Sequence, residues 1–525
     1  MKSLQSLYAL LLILLISSCS QPEKITIEER ADQLSKNEMQ SVMEFLGHDL
    51  LEGRAPGTRG GDLAEIYVQS LCKYMDLEPG NNNSYLQPFV MKGFSNTGVM
   101  AEANGIKLNY IDDIVGSFTT EKEHIDLTAD VVFVGFGIKT DIWNWDDYKD
   151  VDVKNKLVIT RVNDPGFYNP DIFEGKTLTY FGRWTYHIEE AARRGAAGIL
   201  LIHTDETAGY DWNVVKNSWS GEELYIESEL ENNLQFRGWM KESSFDKLLL
   251  SKGLNKNELY EKTKTNDFQP VELGFQAHIS GDNSFRNVLN NNVVAHIQGQ
   301  TDERIVISAH LDHLGMNSGK EGENIYNGTI DNGSAVAAMM MVAKILKEHQ
   351  NELYYSVTIL GCNSEESGLL GSKYYAQNTN RSNIIANINL ESTPVWSAAK
   401  SIMGIGARFS DFEEIITKLA QKDGLGYSQF SLSNQGLFYR SDQFSFARYG
   451  VPAVWISAGE DEITGERNYT EFWGKDYHTV RDDFNPEWEL EGMRQTIKYA
   501  LLLIEELNTT KASVKWKANL PFPME

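Results

Sequence analysis

The chain has 525 residues, 41 % of them hydrophobic and 11 % aromatic, and a formal net charge of −26. That composition excludes a disordered chain and leaves room for about two to four domains with sizeable cores. The acidic balance argues against nucleic acid and anionic membrane surfaces as partners, and it suits a site that gathers cations.

The opening stretch "MKSLQSLYALLLILLISSCS" carries Lys2, an apolar run from Leu7 to Ile16, and then Ile16-Ser17-Ser18-Cys19. The run is too short to span a bilayer and reads as a signal peptide. Small residues directly before a cysteine resemble a bacterial lipobox. Residues 1–19 are therefore predicted to be a lipoprotein signal peptide, with Cys19 lipidated as the first mature residue. The expected location is the cell envelope, with the membrane met only through that anchor. Residues 20–35 are polar and charged and are predicted to be a tether. Cys72 and Cys362 each sit inside an apolar element and read as small core residues.

From residue 36 apolar residues recur at helical spacing in "MQSVMEFLGHDLLEG" and "GDLAEIYVQSLCKYMDL", separated by the Gly/Pro loop "GRAPGTRGG". The remainder of 36–119 is patchier. Residues 120–275 change character. "ADVVFVGFGI" and "NKLVITRVNDPG" read as strands, and "YHIEEAARRGAAGILLIHT" as a helix running through Gly195 into a strand. This stretch is predicted to be an inserted second domain. Between Tyr210 and Trp239 it is rich in Trp and Tyr, which suits either ordinary packing or a recognition rim.

Over 276–510 strand-like "NVVAHIQG", "RIVISAH", "SVTILGCN", "IIANINL" and "VPAVWISA" alternate with helix-like "SAVAAMMMVAKILKEHQ", "LLGSKYYAQN", "FEEIITKLAQKDG" and "LEGMRQTIKYALLLIEELN". Such alternation predicts an α/β domain with a mixed, largely parallel central sheet flanked by helices. Residues 511–525 are left as a C-terminal tail. Ligands of such sheets sit beyond the carboxyl ends of the strands.

Those ends carry His310, Leu311, Asp312 and His313; Glu365 and Glu366; and Glu391. Asp331 opens the Ala/Met helix, and Tyr477-His478 lie in a late charged loop. Imidazoles and carboxylates without thiolates suit zinc or a similar divalent ion, and the set is too poor in oxygen for a calcium cage. Two His and three carboxylates would serve two ions if Asp331 bridged them. Each residue also has a plain reading: His310 as a core histidine, Asp331 as a helix cap, Glu391 as a surface acid, His478 as a solvated loop residue. Asp312 is placed to accept the other ring N–H of His310, and His313 reads as packing or support for a ligand. The adjacent acids Glu365 and Glu366 repel unless a cation or a proton separates them.

Together "SAHLDHLG", "YNGTIDNGSA", "SEESGLLGS", "NINLES" and "DYHTVRDD" resemble the motifs of the co-catalytic zinc exopeptidases. That group includes leucyl-type aminopeptidases and glutamate carboxypeptidase II, with glutaminyl cyclases as relatives. The middle region is similar to a protease-associated domain, a β-rich α/β insertion. The resemblance implies two Zn2+ ions, one on His310 and Glu391, the other on Glu366 and His478, with Asp331 bridging. It implies Asp312 as the residue orienting His310, Glu365 as general base, and Tyr477 as a stabiliser of the tetrahedral oxyanion. Peptides are the implied substrates, most directly as an aminopeptidase. A carboxypeptidase using Arg440 or Arg448, a glutaminyl cyclase, and a non-catalytic peptide-binding lipoprotein are the alternatives. Glu391 stands where most members have Asp. Gln443 in "SDQFSF" stands where many have His, which bears on substrate contacts, and Ile330 and Ala335 read as packing variation.

Overall fold

The computed structural model describes residues 25–226, 234–317 and 322–525. The predicted signal peptide, Cys19 and residues 20–24 lie outside the described residues. In chain order the elements that position the site are α1 (Ile27–Asp32), α2 (Lys36–Leu46), α3 (Arg59–Tyr74), β1 (Leu86–Ala103), β2 (Ile114–Phe118), β3 (His124–Phe133) and β4 (Leu157–Arg161). Next come α4 (Trp184–Arg193), β5 (Gly198–His203), β6 (Phe236–Lys241), α5 (Glu242–Leu250), β7 (Val271–Ile297) and β8 (Thr301–His310). They are followed by α6 (Ala335–Glu348), β9 (Tyr355–Cys362), α7 (Leu370–Asn378), β10 (Ile384–Asn389), β11 (Ser401–Ile405) and α8 (Phe412–Lys422). The series ends with β12 (Gly426–Ser428), α9 (Gln443–Arg448), β13 (Ala453–Ala458) and α10 (Glu491–Thr510).

Strands β13, β10, β8 and β9 lie side by side and run parallel. Every residue of β9, β10 and β13 is buried, because helices and loops cover both faces, and this is why they read as unbroken apolar runs. On one face α2, α6 and α10 close a core of Val, Ile, Leu, Ala and Met side chains. On the other, an aromatic core gathers Phe409, Phe438, Phe444, Trp455 and Phe522. Phe522 brings the C-terminal segment into that core.

β7 carries the sheet outwards. Its last residues pair antiparallel with β9, its middle with β1, and its first half with β3. Beyond β3 the parallel strands β4, β5 and β6 and antiparallel β2 complete the middle unit. One core of this unit joins Ala101, Leu108 and Phe118 to Phe275 and Ile279, and a second packs α4 under Trp219 and Trp239. The packing edges of the unit therefore reach outside 120–275, into the two long strands β1 and β7. Their alternating, half-exposed pattern carries no break that a sequence reading could use.

The expected tether at 20–35 needs correction over its described part. Thr26 caps α1 in a capping box with Glu29, and Ile27, Ala31 and Leu34 are buried in the main core against α6 and α10. A six-residue amphipathic helix with charged outer residues looks like a solvated linker in sequence. Cys72 and Cys362 are free and buried, as expected of core residues. Among the described residues no helix is long and apolar enough to cross a membrane.

Candidate metal and catalytic site

Parallel strands present their carboxyl ends on one edge, and the register levels them: His310 pairs with Cys362, and Ser308 with Asn389. His310 ends β8, Glu365 and Glu366 follow β9, and Glu391 follows β10. The Nε2 atom of His310 lies 3.2 Å from Asp331 Oδ1 and 3.2 Å from Glu391 Oε1. The Nε2 atom of His478 lies 3.2 Å from Asp331 Oδ2 and 3.2 Å from Glu366 Oε2. The two oxygens of Asp331 thus face two different histidines, each of which faces a further carboxylate. All five residues expected to hold metal are brought together.

These separations test the fit of a metal. Asp331 Oδ2 and His478 Nε2 are buried and lack any hydrogen-bond partner although they face each other. Donor atoms bound tetrahedrally about 2.0 Å from one ion stand about 3.3 Å apart. The residues fit two such ions, one among His310, Asp331 and Glu391, the other among His478, Asp331 and Glu366. Glu365 offers an oxygen within 4.8 Å of the His310 and Glu391 donor atoms, and His313 stands in the same relation to Asp331 and Glu366.

The supporting groups differ in part from expectation. The Nδ1 atom of His310 is 3.1 Å from the backbone carbonyl of Asp312, whose nearer carboxylate oxygen is 3.8 Å away. A carbonyl only accepts, so Nδ1 carries the proton and Nε2 is aimed at the carboxylates. The Asp312 carboxylate instead accepts from the backbone N–H groups of Glu365 at 3.0 Å and Glu366 at 3.2 Å. Asp312 therefore orients His310 through its main chain and holds the Glu365–Glu366 turn through its side chain. His313 Nδ1 lies 2.8 Å from Glu366 Oε1, which gives it the supporting place read for it. Asp331 does not cap α6, which starts at Ala335 without a side-chain cap. Asp331 sits in an irregular turn with its carboxylate on the histidines.

Two departures from the family pattern find physical accounts. The extra methylene of Glu391 is accommodated by Ser441, whose Oγ donates to Glu391 Oε2 at 2.6 Å. Gln443 is fully buried, accepting from Asn389 Nδ2 and donating to the Phe438 carbonyl. It lines no part of the cleft, so the doubt it raised about substrate contacts falls away. Ile330 and Ala335 are buried packing residues.

Electrostatics separate the two adjacent acids. Burial, together with the charges of Glu366, Glu391 and Asp442, pushes Glu365 well above the usual carboxylate range against the pull of His310. Burial also opposes the charge of Glu366, but His478 and its hydrogen bonds hold it well below that range. One acid is thus disposed to carry a proton and the other to stay ionised. The carboxylates Glu366 and Asp331 overcome the effect of burial on His478 and raise it to about 10.

Sequence reasoning missed two residues that hold the site. Asp482 accepts from the backbone N–H of Ile330 at 2.7 Å and of Asp331 at 2.9 Å, fixing the turn that aims Asp331. Arg54, buried beneath the site, donates to the carbonyls of Leu46, Leu311, Asn327 and Gly328. Both lie within quoted motifs, "DYHTVRDD" and "GRAPGTRGG", which read in sequence only as a charged loop and a Gly/Pro loop. Tyr477 stacks on His478 at 3.8 Å between ring centroids and lines a cleft of about 390 Å³ with Glu365, Glu366 and His478. Burial, then Asp331 and Glu366, keep its phenol protonated, well above its ordinary value.

Residues 292–502 match the model of peptidase family M28. The M28 segment carries every residue of the metal cluster. The chain is 27 % identical over 227 residues to leucine aminopeptidase 1 of Ajellomyces capsulatus strain H88, covering 41 % of this chain and 55 % of the relative. The chain thus spans about half the length of the curated relatives it matches. The solved aminopeptidase from Aneurinibacillus sp. strain AM-1 has the same fold, with a TM-score of 0.54 at 16 % identity over 95 % of this chain and 99 % of that one.

Proposed function

We propose that the protein is a zinc-dependent aminopeptidase, a metallopeptidase that releases N-terminal residues from peptides. The observation that carries this reading is the pair of 3.2 Å donor sets sharing Asp331. The likeness to a leucine aminopeptidase supports amino- over carboxypeptidase chemistry. His310 and Glu391 would hold one zinc ion, His478 and Glu366 the other, and Asp331 both. Zinc bound there supplies Lewis acidity, bringing the pKa of a water from about 16 towards 7 and polarising the scissile carbonyl.

The chain's own residues do the rest. Glu365, in its ionised form, takes the proton of the attacking water and passes it to the leaving amine. Asp312 holds the backbone of Glu365 while it does so. Tyr477 donates its O–H to the carbonyl oxygen as negative charge grows there. Residues 1–19 would direct export, Cys19 would carry lipid in the cell envelope, and the middle unit would be a protease-associated domain. The sequence motifs alone support those three readings.

The test is metal analysis with hydrolysis of free and N-acetylated peptides. About two zinc ions per chain and cleavage only of free amines are expected, with Glu365→Gln keeping its metal while losing about 10²- to 10⁴-fold in kcat. Equal cleavage of acetylated peptides overturns the reading, as does a fully active Glu365→Gln.

A further inference from the structure

The cleft before the metal cluster has walls from both units. Arg183, Tyr180 and Trp219 come from the middle unit, and Tyr439 and Arg440 from the M28 segment. Its acids have cationic partners. Glu189 faces Arg448 at 3.3 Å, Glu222 faces Arg286 at 2.7 Å, Glu525 also pairs with Arg448, and Glu223 lies in the field of Arg237. Arg448, one of the two arginines considered for a carboxypeptidase, is thereby neutralised.

Arg183 and Arg440 differ. Among the described residues neither guanidinium has an ion-pair partner, and the Nε atom of Arg183 is buried without any acceptor. In a chain of net charge −26, two such cations share one cleft. Burial, with repulsion from Arg440, brings Arg183 down to about 10. The charge of Arg440 also reaches Tyr477, so the pair and the metal cluster belong to one space. A guanidinium fork matches a carboxylate in two parallel hydrogen bonds, and a carboxylate between these two would satisfy the orphaned Nε and relieve the repulsion.

We propose that Arg183 and Arg440 bind a carboxylate of the substrate, so that the cleft selects peptides with an anionic group near the scissile bond. This rests on the aminopeptidase reading and deepens it. The carboxylate has two sources, the C-terminus of a very short peptide or an Asp or Glu side chain. The two units then act together: the metal cluster engages the reacting end, and an arginine from each unit fixes the anionic end.

The test is calorimetric binding to zinc-loaded Glu365→Gln, which reads recognition without turnover. The ligands are Leu-Gly, Leu-Gly-amide, Leu-Glu-amide and Leu-Gln-amide. Tighter binding of the charged member of a pair, by about 10- to 100-fold, is expected. A preference in the first pair assigns the terminal carboxylate, and one in the second the side chain. Adding Arg440→Gln, a change at an exposed residue, or Arg183→Gln should bring the ratio towards one, while Arg183→Lys retains part of it. Equal binding within both pairs overturns the proposal, and so does a ratio that Arg440→Gln leaves unchanged. Hydrolysis of leucine 4-nitroanilide by the wild-type protein is measured separately. Its absence would overturn the aminopeptidase reading while the calorimetric ratio still decides carboxylate recognition.

Discussion

Arg54→Met should unfasten the floor of the site. Arg54 is 1 % exposed, and its side chain donates to Leu311 O and Gly328 O at 2.9 Å, to Leu46 O at 2.6 Å and to Asn327 O. Its charge also faces Asp482, Asp331, Asp312 and Glu366. Methionine fills most of the volume but strands four carbonyls and removes that countercharge. Burying a guanidinium is itself costly, so the bonds do not simply add. Breaking a buried charged centre costs about 3–5 kcal/mol, or roughly 10²- to 4 × 10³-fold in an opening equilibrium. The cysteines beyond Cys19 are Cys72 and Cys362, both buried in the cores around the site, and the middle unit has none. Thiol labelling read on the peptides containing Cys72 and Cys362 therefore reports opening of this part of the molecule alone. Labelling about 10²-fold or more faster is expected for Arg54→Met, with Arg54→Lys between it and wild type because it keeps the charge and loses the fork. Labelling within about threefold of wild type, a difference below ~0.7 kcal/mol, would refute the reasoning.

Asp482→Asn leaves one acceptor for two backbone N–H groups and turns an amide donor on one of them. Zinc affinity, read by chelator competition, should fall about 10- to 100-fold, and an unchanged affinity would remove Asp482 from the site's support. Glu65 accepts from Asn291 N at 3.0 Å, Asn291 Nδ2 at 2.9 Å and Asn363 Nδ2 at 2.8 Å, and burial raises its carboxyl from 4.5 to about 7. The unfolded chain releases this proton first, so stability is full below pH 4.5 and falls as pH rises towards 7, by on the order of 3 kcal/mol. Glu65→Gln should flatten that slope in the same thiol-protection measurement between pH 5 and 8, and a slope that survives would place its origin elsewhere.

The sequence by itself determined the α/β class and the residues at the strand ends. Apolar runs interrupted by His310, Glu365, Glu366 and Glu391 are local signals, and parallel strands between helices must present those residues on one edge. The adjacent pair Glu365–Glu366 announced a need for a cation or a proton before any coordinates. Tertiary structure alone decided which atoms support them. Asp312 turned out to hold a turn with its carboxylate and His310 with its carbonyl, a division invisible at a spacing of two residues. Arg54 and Asp482 act mostly on partners far away in the chain, and nothing in their neighbouring residues records that distance. The first helix and the long strands β1 and β7 were hidden for a related reason: half-exposed elements take their stability from the surface they pack on, and that surface is supplied by residues hundreds of positions away.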